Sequence, residues 1–254
     1  MYRKSRRLRF PLLLLAVIAS TTVLGAGSDP AASLGTVSYD VRYKLGGITT
    51  RVATATISWE EDAWKGIPAY HSKAVIEPTP VFRIFISSDY LAEVYFSRDR
   101  RSPLYFINPF KYGGKEGKYE YVFRADKKVI ESTAVRGDAP PENTTFPLDG
   151  RTMDLLSLLH FVRFVELEGK PLEMNILMAA KSYAARLIEQ GDDDEKFPGL
   201  EAEHILLQMT EHGLMENGSG NEIHIWRSSA PDRRLLGLEV ALSSGRMICR
   251  IRDL

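Results

Sequence analysis

The feature that most constrains the fold of this chain is a strict alternation of apolar and polar side chains that begins at residue 37. Successive side chains of a β-strand point to opposite faces, so a two-residue period predicts strands with one buried face. Two such runs flank Gly46-Gly47, a pair that is typical of tight turns. The alternating apolar residues are Val37, Tyr39, Val41, Tyr43 and Leu45 before the turn, and Ala53, Ala55, Ile57 and Trp59 after it. The sequence therefore predicts an opening β-hairpin.

Runs rich in β-branched and aromatic residues continue along most of the chain, with turn-forming residues between them. The runs predict strands at residues 69–76, 81–87, 92–96, 118–124, 129–135, 172–176, 201–209, 222–227, 238–242 and 247–251. Short strands in close succession favour an antiparallel meander, because each tight turn reverses the chain next to the strand before it.

A different pattern occurs in the middle of the chain. Between residues 153 and 165 apolar side chains recur every three or four positions. This spacing predicts a helix with Thr152 as its N-cap and with Gly169 and Pro171 beyond its end. The preceding segment, residues 137–150, is polar, contains several prolines and has no periodicity, so we expect a loop there.

Residues 177–188 leave helix and strand open as alternatives, because their alanines favour a helix by propensity. For the chain as a whole we expect a mainly β fold. The predicted architecture is a single curved antiparallel sheet, or partial β-barrel, with one helix packed in or against it. We expect residues 37–254 to form one β-rich domain whose two halves are joined by the loop at 137–150.

The first 26 residues have the composition of a targeting segment. Five basic residues precede an uncharged apolar block at residues 10–24, and the small residues Gly25 and Ala26 follow it. This order is typical of an export signal that a peptidase removes. The block is shorter than the roughly 20 residues that span a bilayer, so cleavage is favoured, with a permanent anchor as the alternative. We expect residues 1–26 to be a signal peptide, residues 27–36 a flexible linker, and the protein to be periplasmic or otherwise exported to the cell envelope.

Charge and cysteine content limit the partners and the chemistry. The chain holds 33 basic and 33 acidic residues, and five basic ones lie in the leader, which leaves 28 against 33, a net charge of −5. This acidic surplus argues against a nucleic-acid partner, because phosphate binding needs a basic surface. The single cysteine cannot form an internal disulfide. Because Cys249 alternates with Met247 and Ile251, we expect a buried, unreactive thiol.

Residues with catalytic or metal-binding chemistry do not form a known motif. None of the five histidines has the spacing of metal ligands on a helix face; they are His71, His160, His204, His212 and His224. Ser157 and His160 are three positions apart on the predicted helix, but no Gly-x-Ser-x-Gly motif accompanies them. We therefore predict no catalytic residue, no metal and no cofactor, and expect a non-enzymatic protein, with an enzyme as the third alternative.

Aromatic residues give the clearest functional signal. Tyr119, Tyr121 and Phe123 share one side of a predicted strand, and Trp226 belongs to another strand. A curved sheet that presents these rings would offer an aromatic wall to a lipid or another apolar small molecule, with Arg163 at the helix end as a polar anchor. The alternative is an ordinary core in which the same rings fill space beneath the helix.

A partner from another class is also open. In this second interpretation the protein is a structural or assembly adaptor, and its sheet edges or the 137–150 segment dock another envelope protein. We expect contact with the membrane only through the leader. Nucleic acid is not expected as a partner.

The second half of the chain resembles a known family. The matching elements are Asp154-Leu155-Leu156-Ser157, Phe161-Val162-Arg163, Glu168-Gly169, Ile225-Trp226-Arg227-Ser228 and Arg233-Arg234-Leu235, together with the opening Tyr39-x-Val41-x-Tyr43 hairpin. They are similar to the exported bacterial proteins called domain of unknown function 3108, over most of residues 37–252. The resemblance implies a secreted or periplasmic domain in which antiparallel strands curve around a helix. The family has no settled activity, so the resemblance implies no catalytic residue.

Overall fold

A computed structural model describes residues 35–84, 90–98, 102–112, 115–148, 151–210, 221–229 and 233–252. The predicted signal peptide, all but the last two residues of the predicted linker, and His212 lie outside these ranges.

The described ranges contain fifteen strands, one α-helix and a short 3-10 helix. The strands are β1 (Gly35–Leu45), β2 (Ile48–Trp64), β3 (Ile67–Pro78), β4 (Tyr90–Ser97), β5 (Pro103–Tyr112), β6 (Lys115–Arg124), β7 (Val129–Arg136), β8 (Glu142–Pro147), β9 (Thr152–Asp154), β10 (Leu172–Met178), β11 (Lys181–Asp192), β12 (Ala202–Met209), β13 (Glu222–Ser228), β14 (Leu235–Leu242) and β15 (Gly245–Ile251). The α-helix, α1, is Leu155–Phe161, and the 3-10 helix is Phe82–Ile84.

All fifteen strands belong to one sheet. Its order is β8-β7-β6-β5-β4-β3-β2-β1-β15-β14-β13-β12-β11-β10-β9, so two meanders meet where β1 pairs with β15. Neighbours are antiparallel except β9 and β10, which are parallel. The edge strands β8 and β9 are joined by residues 148–151 alone, which limits the separation of their ends to about 17 Å. The sheet therefore curves until its two edges approach each other, and the predicted single curved antiparallel sheet is confirmed.

Helix α1 lies inside this curved sheet. It packs against β4 on one side and against β9 and β10 on the other, although these strands are far apart in the sheet order. The His160 ring lies 4.6 Å from the ring of Trp59 on β2 and 4.7 Å from that of Phe96 on β4. Residues 155–160 are all buried, as is expected of a helix with apolar surroundings on every side. None of the helices in the described ranges is long and apolar enough to span a bilayer.

The helix is shorter than predicted and begins at a different cap. Thr152 is not the N-cap, because it pairs with Asn175 as part of β9. The cap is Asp154, whose Oδ1 accepts the Ser157 N–H at 2.9 Å. The helix ends at Phe161 rather than near residue 165, and the chain continues through turns to β10.

The segment left open between helix and strand is a hairpin. Residues 172–178 and 181–192 pair as β10 and β11 around Ala179-Ala180, which have φ values of 50° and 59°. A two-residue turn with positive φ at both positions is the type I′ turn that suits the twist of paired strands. Strand pairing thus overrides the helical propensity of the alanines.

Two further segments differ from their predicted structure. The segment at 137–150 is not all loop, since residues 142–147 form the edge strand β8. The strand predicted at 81–87 is wrong over residues 82–84, because the N–H groups of Phe82 and Arg83 both donate to the Thr79 carbonyl and form a helical turn. Strand β5 has no predicted counterpart, since its prolines interrupt the alternating pattern.

The inner face of the sheet and α1 share the main hydrophobic core. Cys249 is buried in it, as predicted, and burial raises the pKa of its thiol. A second, small apolar cluster lies apart from this core and contains Phe197, Ala202, Trp226 and Leu236. On β13, Ile223 and Ile225 belong to the main core, so their neighbour Trp226 faces outward. The segment 193–201 supplies Phe197 to cover it.

Candidate functional site

The helix occupies only part of the length of the concave face. Seven helical residues extend about 10 Å, whereas the eleven residues of β1 extend about 36 Å. We call the end of the sheet with the turns 46–47, 179–180 and 243–244 the lower rim, and the end with the turn 65–66 the upper rim. The end of α1 near His160 lies beside Trp59 and Phe96, toward the upper rim. Toward the lower rim the concave face is lined by strand side chains.

Aromatic side chains line one half of this lower region. As predicted, Tyr119, Tyr121 and Phe123 share one face of β6, and it is the inner face. Tyr121 and Phe123 are 1% and 6% exposed and belong to the core, whereas Tyr119 is only half-buried. The Tyr119 ring stacks on Phe110 of β5 at 5.0 Å, and Tyr121 stacks on Phe106 at 5.3 Å. The row of rings thus runs from the buried core out to the lower rim.

Glycine at position 117 allows the outermost pair of rings to pack. Gly117 pairs with Phe110 across β5 and β6. A Cβ at this position would lie 2.5 Å from the Phe110 ring and would also collide with the Val135 carbonyl oxygen. The ring therefore lies directly over the backbone of β6, beside Tyr119.

The opposite half of the inner face is rich in methionine. Five of the seven methionines of the chain are buried in the main core, all on strands β9 to β15; they are Met153, Met174, Met178, Met209 and Met247. Unbranched thioether side chains adapt to irregular apolar shapes. Tyr183 of β11 lies half-buried at the lower end of this half.

The two halves meet across the concave face. The hydroxyl of Tyr121 accepts the Ala180 N–H at 3.0 Å, which joins β6 to the β10–β11 turn. Burial, and then the nearby Tyr119 hydroxyl, raise the pKa of Tyr183, so the two half-buried tyrosines lie near each other across the concave face. At the rim, the Arg136 guanidinium lies 5.6 Å from the centre of the Tyr119 ring and pairs with Glu142.

A buried carboxyl group lies at the start of α1, near the Tyr121 side chain. Asp154 is fully buried, and burial raises its pKa to about 6 despite the opposing hydrogen bonds from Ser157. Tyr90 and Tyr121 are near enough for the Asp154 charge to raise the pKa of both phenols, in addition to the larger effect of burial. The inner end of the lower region is thus polar, with an acid that is half-ionised near pH 6.

The structure does not bring the other predicted site residues into this region. Trp226 lies on the outer face, where its Nε1 donates to Asp193 at 2.9 Å and its ring stacks on His204 at 4.8 Å. Arg163 is 1% exposed, follows α1 toward the upper rim, and donates its Nε–H to the Arg233 carbonyl at 3.2 Å. Neither residue lines the wall formed by the β6 aromatics.

Ser157 and His160 do not pair in this geometry. The Ser157 hydroxyl donates to Asp154, and the His160 ring packs among Trp59, Phe96 and Phe164. Over the part of the chain that the structure describes, no group of three or more histidine, cysteine, aspartate or glutamate side chains is placed to share a metal ion.

Sequence reasoning missed Phe110, Tyr183 and the methionine lining. Phe106 and Phe110 do lie at even spacing, but the intervening Pro109 masks the strand. Tyr183 stands in the alanine-rich segment whose structure was left open. The methionines alternate along their strands, which is a signal of burial but not of function.

Comparison with known proteins gives a family. The family model described as "Protein of unknown function (DUF3108)" matches residues 38–245. No curated protein matches the chain. Among solved structures, the chain is similar to the crystal structure of a beta-barrel-like protein of domain of unknown function DUF1849 from Brucella abortus. That similarity has 11% sequence identity and a TM-score of 0.49, and covers 86% of this chain and 95% of the other.

Proposed function

Because the chain belongs to the DUF3108 family, whose description assigns no activity, we propose its function from the concave face: non-enzymatic binding of an apolar or amphiphilic envelope molecule at the lower rim. The ligand lies between Tyr119 and Tyr183, over the buried Tyr121. Its apolar part contacts the rings and the methionine side chains.

The observation that carries this proposal is the partial exposure of two neighbouring tyrosines that pack against the main hydrophobic core at the lower rim. Tyr119 and Tyr183 are each only partly buried while they pack against the core. Covering such surface stabilises a complex by about 2.5 kcal/mol per 100 Å². A site built from apolar area with few fixed polar groups favours a lipid-like chain over a compact polar metabolite.

The two halves of the site have complementary properties. Stacked aromatic rings on β5 and β6 form a rigid side, while methionines on the facing strands form an adaptable side. Arg136 and Glu142 at the rim are placed to meet the polar end of an amphiphile. This combination favours a class of related molecules rather than one compound.

We also propose that the ligand is encountered outside the cytoplasm. The leader at residues 1–26 has the basic head, apolar block and small residues of an export signal. After its removal the protein works in the periplasm or elsewhere in the cell envelope, where apolar molecules need a carrier to cross water.

The test is recovery of the bound molecule. The protein is purified from its own envelope without detergent, and native mass spectrometry with organic extraction identifies retained ligands. We expect a retained apolar molecule in the parent protein and its loss in the double variant Tyr119→Ser with Tyr183→Ser. The matched control is Tyr95→Ser, because Tyr95 is a half-buried tyrosine on the outer face of β4. An empty parent protein, or equal loss in the control, would contradict the proposal.

The exposed edge strand β8 favours the adaptor as the second candidate. Residues 142–147 pair with β7 on one side, and four of the six residues are exposed. An edge of this kind can accept a strand from another protein. Crosslinking in cells from a β8 position separates the two candidates, because an adaptor yields one dominant protein partner and a carrier yields none.

A further inference from the structure

We propose that the lower rim docks on an anionic lipid bilayer through the tip of the β1–β2 hairpin and the adjacent start of the β3–β4 connection. The docking surface consists of Leu45, Ile48 and Val81, flanked by Lys44 and Arg83. This goes beyond ligand binding, and it departs from the expectation that only the leader touches the membrane.

Apolar exposure is concentrated at this end of the molecule. Among the described residues, four large apolar side chains are strongly exposed: Leu45 at 57%, Ile48 at 73%, Val81 at 67% and Ile67 at 45%. Leu45 and Ile48 flank the 46–47 turn. Val81 lies on the same rim near the base of this hairpin, because two residues before it the Thr79 N–H donates to the carbonyl of Val52 near the start of β2. Three of the four are therefore on the lower rim, and Ile67 is on the upper rim.

The hairpin tip projects beyond β3, its neighbour on one side, whereas on the other side β15 pairs with β1 as far as Lys44. The first β2 residue with a partner on β3 is Ala53, which pairs with the last residue of β3, Pro78. Residues 48–52 thus extend about 16 Å past β3. Every residue from 44 to 51 is exposed. The tip can therefore enter a bilayer surface without any change in the sheet.

The charged residues of the hairpin tip itself are all basic. Residues 42–51 contain Arg42, Lys44 and Arg51 and no acidic residue, and exposed Arg83 follows Val81. Arg42 and Arg51 both pair with Asp40, at 3.1 and 3.3 Å, so a single carboxylate faces two arginines on this hairpin. Exposed apolar side chains with a basic margin are complementary to a lipid surface that carries negative head groups.

The hairpin tip and the candidate ligand site lie at the same end of the sheet. Tyr119 and Tyr183 lie on the same rim, so a docked protein presents its candidate ligand site to the bilayer. This part rests on the proposed function, whereas the docking itself follows from the tip alone.

The test is partition of the purified protein onto vesicles of phosphatidylcholine, with and without phosphatidylglycerol, measured by co-sedimentation. We expect binding that requires phosphatidylglycerol and weakens as salt is added. In the variant Leu45→Gln with Ile48→Gln, the fraction of protein bound to vesicles should fall by about tenfold for each side chain. Burying about half of a leucine-sized side chain in the bilayer changes the binding constant by about a factor of ten. Lys44→Gln lowers it about fivefold.

Ile67→Gln is the matched control, because it removes an exposed isoleucine from a hairpin tip on the upper rim. It leaves partition unchanged. Circular dichroism of the variants confirms that the exposed substitutions leave the sheet intact. Absence of binding to anionic vesicles, or equal weakening by Ile67→Gln, overturns the proposal. A change in oligomeric state when the tip is mutated would also overturn the proposal, because the tip would then be a contact between two copies of the protein.

Failure of the docking proposal and failure of the ligand proposal give different results. The variant Tyr119→Ser with Tyr183→Ser should still bind vesicles, since neither tyrosine belongs to the docking surface. Conversely, the tip variant should retain a ligand already bound. Vesicle binding by a protein that is always empty would refute the ligand site and leave the docking surface standing.

Discussion

Asp154 should make the protein less stable as pH rises from 4 to 7, and Asp154→Asn should remove that dependence. The carboxyl group is fully buried, and burial raises its pKa from 3.8 to about 6 in the folded protein. In the unfolded chain it ionises near its ordinary value. Its favourable contribution is therefore complete below pH 3.8 and is lost as pH rises through 6.

The size of the effect follows from the shift. About two pKa units correspond to about 3 kcal/mol between the two limits, of which about 2 kcal/mol falls between pH 4 and pH 7. Asparagine is as good an N-cap as aspartate and has nearly the same shape, so the bond from the Ser157 N–H is retained. The free energy of unfolding of the Asp154→Asn variant should therefore rise relative to that of the parent protein as pH increases.

The assay is urea unfolding of parent and variant at half-unit pH steps, with the free energy of unfolding extrapolated to water. The Ser157→Ala variant is a second probe, because the bond from the Ser157 hydroxyl lowers the pKa of Asp154 and its loss raises that pKa further, while the bond from the residue 157 N–H remains. That variant should steepen the pH dependence. Parallel stability curves for the parent and Asp154→Asn would refute the assignment of a buried acid with a raised pKa.

Three other substitutions test the packing around the candidate site. Tyr121→Phe deletes the acceptor for the Ala180 N–H and should lower the free energy of unfolding by about 1 kcal/mol, measured by urea unfolding. Replacing Ala179-Ala180 by Asn-Gly relieves two positive-φ alanines and should raise stability by about 1 kcal/mol, seen as a higher melting temperature. Gly117→Ala should destabilise the fold by about 2 kcal/mol, since its Cβ meets the Phe110 ring; an unchanged melting temperature would contradict the close approach.

Most strands, and the residues that share each face of a strand, were predictable from the sequence. Which of the two faces lies on the concave side of the sheet was not. Tyr119, Tyr121 and Phe123 do share a face, because alternation is a local property of the extended backbone. Trp226 alternates equally well on β13, yet it faces outward. The two-residue alternation shows which residues share a side of the strand. Only the direction in which the sheet curves decides which side is enclosed.

The outer position of Trp226 also has a physical cause distant in sequence. The segment 193–201 covers that face with Phe197, whose ring lies 6.1 Å from that of Trp226. At Trp226 the outer side of β13 is consequently apolar as well, although Glu222 and His224 share that side. No local pattern could have identified the covering segment, because its acidic and Pro-Gly residues are those of an ordinary turn.

By itself, the sequence determined the extended backbone, the opening hairpin, the presence of one helix and the shared face of the β6 aromatics, because each depends on side chains a few residues apart. Tertiary structure decided the rest. It formed the Ala179-Ala180 turn despite the helical propensity of these alanines, placed Asp154 in an apolar interior, and brought Tyr183 near Tyr119. These results depend on curving a fifteen-stranded sheet around a seven-residue helix, and contacts in that sheet join residues far apart in the chain, such as Tyr43 and Ser244, which are 201 positions apart.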